Sequence, residues 1–210
     1  VEDPGVAPVP VDGLGGDVAV GAVVVGVPVE VVDGIPAQVG EGQVALVELA
    51  RDHAMVSATV GVHPHEADTV TDETWAELER LAREPGVVAV GECGLDYYRD
   101  LSPRPVQREV FARQLALAVE TGLPAVIHSR EADDDTIAII RDSGITNAVL
   151  HCFPGSPRLL DTALELGLHI SIAGPVTFKK AEELRNAVRE IPDDLLLVET
   201  VFDTLNAKAA

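Results

Sequence analysis

The stretch VVAVGE at residues 87–92 sets the expected fold, and two later stretches share its form: PAVIHS at 124–129 and AVLHCF at 148–153. Each is a short apolar run that finishes in polar side chains, and a helical pattern separates each run from the next. This alternation is typical of parallel strands that helices cover on the outside. In a parallel α/β barrel, the carboxyl ends of all strands lie on one face.

Three potential metal ligands occupy these strand ends. Glu92, His128 and His151 are 36 and 23 residues apart along the chain, yet we expect them to meet on the shared face. Two imidazoles and a carboxylate suit zinc or another divalent ion, so the pattern predicts a metal site. The alternatives are buried structural histidines and, for Glu92, an ion pair with Arg99 or Arg130.

The same rhythm continues from residue 56 onwards. Apolar runs predict strands at 56–62, 87–92, 124–129, 148–153, 168–174 and 195–200. Amphipathic spacing predicts one helix beginning near Asp72 and four more at 102–122, 132–142, 156–166 and 179–190. The predicted fold class is therefore α/β, a (β/α)8 TIM-type barrel with right-handed crossovers. At 210 residues the chain is short for a barrel of about 250, so we expect an incomplete or distorted barrel at strands one and two and at the final helix.

Two of these helices carry detailed expectations. In the first, Asp72 is a candidate N-cap, and Trp75, Leu78 and Leu81 should face the core. The helix at 102–122 should end at Gly122. Its apolar side should consist of Val106, Val110, Phe111, Leu115 and Val119.

Residues 1–45 depart from this pattern. They are rich in valine and glycine and contain no lysine, arginine, histidine or aromatic residue; the first basic residue is Arg51. The segment is either a divergent pair of opening strands or unrelated sequence, such as a shifted reading frame, joined to a genuine domain. The abrupt change in composition favours the second interpretation. We therefore divide the chain into an atypical segment, 1–45, and a barrel domain, 46–210.

The net charge of -20 restricts the class of function. A protein that binds nucleic acid through a broad basic surface is excluded, because 35 acidic residues outnumber 15 basic ones. A phosphodiester substrate would need metal ions and a few arginines for local positive charge. No signal peptide or membrane-spanning run is evident, and two cysteines make no disulfide framework, so we expect a cytoplasmic protein without a membrane partner.

Six motifs together resemble one known family in order and spacing. They are GVHPHEA (61–67), GECGLDYYRD (91–100), IHSR (127–130), HCFPG (151–155), ISIAGPVTFK (170–179) and LLLVET (195–200). The chain resembles the TatD family of metal-dependent hydrolases, described as deoxyribonucleases of the amidohydrolase-like group, over about residues 46–200. The resemblance implies that the six strands are the third to the eighth of the barrel. It also implies DNA as the substrate; no dedicated protein partner is indicated.

The resemblance further implies roles for individual residues. Glu92 matches the family's glutamate that bridges two metal ions, which makes it the expected catalytic residue as well as a ligand. His128 and His151 match the ligands that complete the second ion's shell. The expected cofactor is a divalent ion, Mg, Mn or Zn, with one or two ions in the family and one intact site here.

The chain departs from the family where the first ion would bind. The family opens with His-x-His on strand one, whereas the first histidine here is His53. Its strand eight ends in Glu-Thr-Asp-x-Pro, but Val201 stands at the Asp position, with Asp203 two residues later; the chain stops at Ala210, where the family continues. We therefore expect weak or absent hydrolysis. The alternatives are an inactive, degenerate or truncated TatD-like protein and an enzyme that acts on another bond, such as an amide.

Several other side chains are candidates for contact with substrate. His63 and His65 follow the strand at 56–62 and either contact phosphate or cap the loop, with His65 preferred. Arg130 follows His128 by two residues on the same side of the strand, where it either binds phosphate or pairs with Asp96.

A second group is expected to be structural or is ambiguous. Tyr97 and Tyr98 either stack on a base or pack on the next helix. Cys93 and Cys152 should point away from the metal, because neighbours on a strand face opposite sides. The acidic run 133–135 suits a helix start better than a calcium loop.

Overall fold

The computed structural model describes residues 41–53 and 57–199. Within them, the helices are α1 Glu41–Asp52, α2 Asp72–Leu81, α3 Arg104–Thr121, α4 Asp133–Ser143, α5 Pro157–Leu166 and α6 Glu182–Val188. The strands are β1 Ala58–Val60, β2 Val87–Asp96, β3 Ala125–Arg130, β4 Ala148–Leu150, β5 His169–Ile172 and β6 Leu196–Val198. Two short 3-10 helices, Pro64–Thr69 and Gly174–Thr177, follow β1 and β5.

The six strands form one parallel sheet in the order β1 to β6. Each strand pairs with the next one along the chain, which is the order of strands in a (β/α)8 barrel. The α/β prediction is therefore confirmed for this part of the chain. The two opening strands expected before residue 46 fall mainly on positions that the structure does not describe, so closure of the barrel stays a prediction.

The helices differ from expectation in their ends and in one face. Thr71, not Asp72, caps α2, because its side chain accepts a hydrogen bond from the backbone N–H of Thr74 at 3.2 Å. The expected inward residues of α2, Trp75, Leu78 and Leu81, are buried. On α3 the prediction for Val119 was wrong: it is 52% exposed. The helix at 179–190 is reduced to α6.

Two glutamines take buried positions on α3 beside its apolar residues. Gln114 accepts a hydrogen bond from the backbone N–H of Val62 at 2.6 Å and donates one to its carbonyl at 3.0 Å. Gln107 accepts from the backbone N–H of Asp96 at 2.9 Å and donates to the carbonyl of Ser102 at 2.7 Å. A buried amide must satisfy its polar atoms, and here the partners are backbone groups at the ends of β1 and β2 and in the loops that follow. Both side chains thereby anchor these loops to α3.

Helix α1 was not expected from the sequence. It begins at Glu41 and ends at Asp52, so it crosses the predicted boundary at residue 45, and Val47 and Ala50 are buried in the core. The division of the chain at that boundary stays a prediction. None of the helices described here is long and apolar enough to cross a membrane.

Candidate metal centre

Strand β2 carries two carboxylates on the side of the sheet that faces the site. Neighbouring residues alternate between the two faces of a strand, so Glu92, Gly94 and Asp96 share one side. Cys93 and Leu95 point the other way and are fully buried in the core. The Cys93 thiol donates a hydrogen bond to the carbonyl of Val126 at 3.4 Å, as expected for a packing residue. Burial raises its pKa, which disfavours the reactive thiolate.

Gly94 brings β3 close to these carboxylates. It pairs with His128 across the sheet and has φ +138°. A Cβ at this position would overlap the backbone carbonyl of His128. Glycine is therefore required, since it alone tolerates both this backbone conformation and so close an approach. The result is a Glu-x-Gly-x-Asp segment with His128 lying between its two acids.

His128 is the centre of the cluster. Its Nδ1 donates a hydrogen bond to Glu92 Oε1 at 2.9 Å. Its Nε2 lies within ion-pair distance of Asp96 Oδ2, at 3.4 Å, but in the described part of the chain this buried nitrogen has no hydrogen-bond partner. A buried ring nitrogen without a hydrogen-bond partner is rare in proteins, and such a nitrogen among carboxylates is suited to be a metal ligand.

The charges in the cluster reinforce one another. Burial lowers the pKa of His128, but Asp96 and Glu92 outweigh it and raise that pKa to about 9. Burial raises the pKa of Glu92, but the hydrogen bond from His128 and the charge of His151 lower it to about 2. The pKa of Asp96 is likewise lowered, because His128 and the Arg99 backbone N–H outweigh burial. Both acids are thus ready to serve as anionic ligands.

Two histidines reach the cluster from the 3-10 helix after β1. His63 caps this helix, because its Nδ1 accepts a hydrogen bond from the backbone N–H of His65 at 3.2 Å. Its Nε2 is 3.6 Å from Glu92 Oε1. Burial lowers the pKa of His63 to about 4, so the ring is neutral at physiological pH. His65 Nε2 hydrogen-bonds to Asp96 Oδ2 at 2.8 Å.

His151 enters from the opposite side. It lies in the turn after β4, one residue beyond the strand's end, rather than in the strand. Its Nδ1 donates to Glu199 Oε2 at 2.7 Å, and its Nε2 is 3.8 Å from Glu92 Oε2. Glu199 also accepts from the backbone N–H of Cys152 at 2.6 Å. Burial lowers the pKa of His151, but Glu199 and Glu92 outweigh burial and raise it.

The structure thus brings Glu92, His128 and His151 to one place and adds His63 and His65 beside them. The suggested pairing of Glu92 with Arg99 or Arg130 was wrong: its partners are imidazoles. Arg130 and Asp96 are register partners in the sheet, but their side chains do not form an ion pair.

Arg130 and Tyr98 instead form a stacked pair, with the guanidinium carbon 3.9 Å from the ring centre. The acidic run 133–135 begins α4, as expected. Val201 and Asp203 lie outside the described residues.

The predicted set of site residues lacks two members of the cluster, Asp96 and Glu199. Asp96 was considered only as a partner for Arg130, although its place four residues after Glu92 on the same strand puts both acids on one side. Glu199 was noted only within the last motif. It follows β6 directly, so the shared strand-end position was the signal that could have included it.

The donor set fits a divalent cation. One ligand atom from each of His63, Glu92 and His128 lies within 4.8 Å of the others, so a small movement would let them converge on one ion. Imidazole and carboxylate together suit zinc, manganese and related ions. This group shares two residues with the predicted set and has His63 in place of His151. His151 is nonetheless oriented for the same purpose, since a carboxylate on one ring nitrogen typically directs the other toward a metal.

Comparison with known proteins relates the chain to one family of hydrolases. The family described as "TatD related DNase" matches residues 18–204. An "uncharacterized metal-dependent hydrolase", YabD of Bacillus subtilis, is 40% identical over 155 residues, which is 73% of this chain and 61% of that protein. The "3'-5' ssDNA/RNA exonuclease TatD" of Erwinia amylovora is 46% identical over 164 residues, 76% of this chain and 63% of that protein.

Solved structures agree as well. The TatD homologue YJJV of Escherichia coli aligns with a TM-score of 0.70 at 29% identity, over 75% of this chain and 62% of that one. A TatD-family hydrolase of Entamoeba histolytica aligns with a TM-score of 0.66 at 26% identity, over 76% and 55%. The chain spans about three fifths of the length of the curated relatives it matches. The matched residues, the identities and the aligned fold together place this chain in the family of TatD-related DNases.

Proposed function

We propose that this chain is a metal-dependent hydrolase that cleaves phosphodiester bonds in single-stranded nucleic acid. The observation that carries the proposal is the buried Nε2 of His128, which has no hydrogen-bond partner among the described residues and lies among imidazoles and carboxylates at the carboxyl edge of a parallel sheet. In barrels of this kind the active site occupies that edge. The printed activity of the Erwinia amylovora relative supports nucleic acid as the substrate class.

Glu92 and His128 are the ligands on which the predicted set and the observed cluster agree. His63 and His151 are the candidates for a third position, from opposite sides of Glu92. A divalent ion held there would supply positive charge to a phosphoryl oxygen of the substrate. Arg130, on the same side of β3 as His128, is the side chain that we expect to hold a neighbouring phosphate. With a net charge of -20, the protein has little other positive charge to offer a polyanion.

We further propose that turnover is slow. A pair of ions can hold both the attacking and the leaving oxygen of a phosphodiester, whereas one ion holds only one of them. This sequence has no His-x-His motif in residues 1–45 and has Val201 in place of the family's aspartate. The competing functions are an inactive TatD-like protein and a hydrolase of another bond.

The test combines metal content with nuclease activity. The protein is loaded with Mn²⁺ or Zn²⁺, dialysed, and analysed for metal per chain; the release of nucleotides from single-stranded DNA is then followed with and without EDTA. We expect about one ion per chain and slow, EDTA-sensitive cleavage. Both should be lost in His128→Ala.

The matched control is His169→Ala, which removes a histidine at the start of β5, the opposite edge of the sheet from the cluster. It should retain metal and activity. Wild-type protein that binds no ion would refute the metal site. A bound ion without cleavage of DNA, but with cleavage of an amide or ester panel, would move the activity to another bond.

A further inference from the structure

Tyr98 and Arg130 form an exposed platform beside the metal cluster. The guanidinium carbon of Arg130 lies 3.9 Å from the centre of the Tyr98 ring. Tyr98 is 55% exposed, and Arg130 is exposed as well. The exposed area of the Tyr98 ring packs against no other part of the described structure, so it is available for contact with a ligand.

Strand alternation places this platform on the same side of the sheet as the metal ligands. Arg130 is two residues beyond His128 on β3. Ser129, between them, points the other way, since its hydroxyl hydrogen-bonds to the buried Thr136 of α4 at 3.0 Å. His128 and Arg130 therefore project from one face, about 7 Å apart along the strand.

One carboxylate ties the platform to the cluster. Asp96 Oδ1 accepts hydrogen bonds from the backbone N–H groups of Tyr98 at 3.0 Å and Arg99 at 2.8 Å. Its other oxygen contacts His65 and approaches His128. Asp96 is 1% exposed, so the turn that carries Tyr98 has a buried, charged anchor.

Arg130 keeps its charge free for a ligand. Eight other arginines in the described residues form ion pairs with carboxylates: Arg51, Arg80, Arg83, Arg104, Arg108, Arg113, Arg141 and Arg158. Arg130 has no such pair among those residues, although the protein carries a net charge of -20. An unpaired guanidinium at the edge of the cluster is suited to a phosphate.

The neighbouring Tyr97 makes a similar contact with an arginine, but there the polar groups have partners within the protein. Tyr97 also has an arginine over its ring, Arg104 at 4.4 Å, but that arginine is paired with Asp100. The Tyr97 hydroxyl donates to Asp135, and the ring is only partly exposed. The same type of contact is therefore satisfied within the protein at Tyr97 and left open at Tyr98.

We propose that Tyr98 and Arg130 form a subsite for one nucleotide of a single strand, in which the base stacks on the open ring face and the guanidinium donates to the adjoining phosphate. Stacking on an aromatic ring is available to any unpaired base, and a cation at the ring reinforces it. Bases inside a duplex are already stacked, so the subsite favours single strands. This inference rests on the proposed function and names the part of the substrate that the metal cluster does not contact.

Binding rather than cleavage tests it. The probes are two fluorescent, phosphorothioate-linked oligomers of equal length, an oligothymidylate and an abasic strand, and their affinities for the Mn²⁺-loaded full chain are measured by fluorescence anisotropy. Tyr98→Ala should weaken binding of the oligothymidylate about fivefold to 100-fold, the range typical of one stacked base. It should leave the abasic strand unaffected, and Tyr98→Phe should behave as wild type.

Arg130→Gln should weaken binding of both strands, because both have a negatively charged phosphorothioate backbone. Its matched control is Arg113→Gln, which removes another exposed arginine, one that lies 3.9 Å from the Trp75 ring on the outer helices. Circular dichroism checks that each variant is folded.

The outcomes separate this inference from the proposed function. Equal weakening of both strands by Tyr98→Ala, no weakening of either, or a wild type that binds neither strand would overturn the subsite. EDTA-sensitive cleavage of DNA that Tyr98→Ala leaves unchanged would overturn the subsite alone. Base-dependent binding without any cleavage would support the subsite and overturn the nuclease.

Discussion

The two halves of the metal cluster are held in different ways. On one side, β2 and β3 are ten and six residues long and carry Asp96 and His128 within their paired register, with Glu92 at the irregularity between Val90 and Cys93. On the other side, β4 and β6 have three residues each and stop before the functional groups. His151 and Glu199 lie beyond these strand ends; their backbone N–H groups donate to the carbonyls of Ile127 and Ile172 at 2.9 and 3.1 Å, and their side chains hydrogen-bond to each other. Val198, just before Glu199, is 86% exposed. Extended strand pairing therefore preorganises most of the first half, whereas the second half depends on single backbone hydrogen bonds beyond the strand ends and on the side-chain hydrogen bond between His151 and Glu199.

The largest expected effect is at the glycine that joins β2 to β3. Gly94→Ala should destabilise the protein by about 3 kcal/mol or more, or prevent folding, because the new Cβ overlaps a β3 carbonyl at a backbone angle that disfavours side chains. The free energy of unfolding is measured by urea denaturation of metal-free protein. The control is Gly174→Ala, where no atom lies within 4 Å of the added Cβ, and a change within about 0.5 kcal/mol is expected. Equal stability of the two variants would mean that the strands do not approach as closely as described.

A smaller effect is expected at the hydrogen bond between Glu199 and His151. Glu199→Gln keeps the shape of the side chain but removes the charge that orients His151, so affinity for Mn²⁺ or Zn²⁺ should fall about 10-fold to 100-fold. The free energy of unfolding should change little, because no strand pairing depends on this carboxylate. Isothermal titration calorimetry measures the affinity. Glu165→Gln, at an exposed ion pair with Arg141, serves as the control and should bind metal normally. Unchanged affinity in Glu199→Gln would place His151 outside the metal's shell.

The last expected effect needs no substitution: metal affinity should depend on pH through the β2–β3 side. His128 has a pKa raised to about 9, so at neutral pH a metal must displace its proton. Affinity should therefore rise as pH increases from 6.5 to 9, by at most about tenfold per pH unit, and level off above 9. In Asp96→Asn, the loss of a negative neighbour lowers the pKa of His128 and shifts the rise to lower pH. A titration that is flat between pH 6.5 and 9 in the wild type would contradict the charged pairing of His128 with Glu92 and Asp96.

The part of the fold that could be predicted is the part that depends on local pattern. Trp75, Leu78 and Leu81 repeat at helical spacing, and all are buried as expected. Val119 continues the same spacing on α3 but is exposed, whereas its neighbours Leu117 and Ala118 are buried, so a different side of the helix faces the core at this end. Gln107 and Gln114 show the converse: polar residues occupy the core because loop backbone groups are there to bind them.

The candidate site follows the same division. That Glu92, His128 and His151 would meet was predictable, since the carboxyl ends of parallel strands share an edge whatever their separation in sequence. The predicted site does not include Asp96, because the predicted strand ends at residue 92 whereas β2 continues for four more residues, to Asp96. The stacking of Arg130 on Tyr98 was not predictable, since it depends on where the turn after β2 lies relative to β3.

The sequence by itself determined the alternation of strands and helices, the family resemblance and the chemical type of the site. Hydrophobic period, glycine positions and the residue types at strand ends are local properties, so they can be taken from the order of residues alone. Only the tertiary structure decided which partner each charged group has: His128 between two acids, His151 against Glu199, Arg130 over an open ring. Those choices depend on strand register and on distances of a few ångströms between segments remote in sequence, which no local pattern specifies.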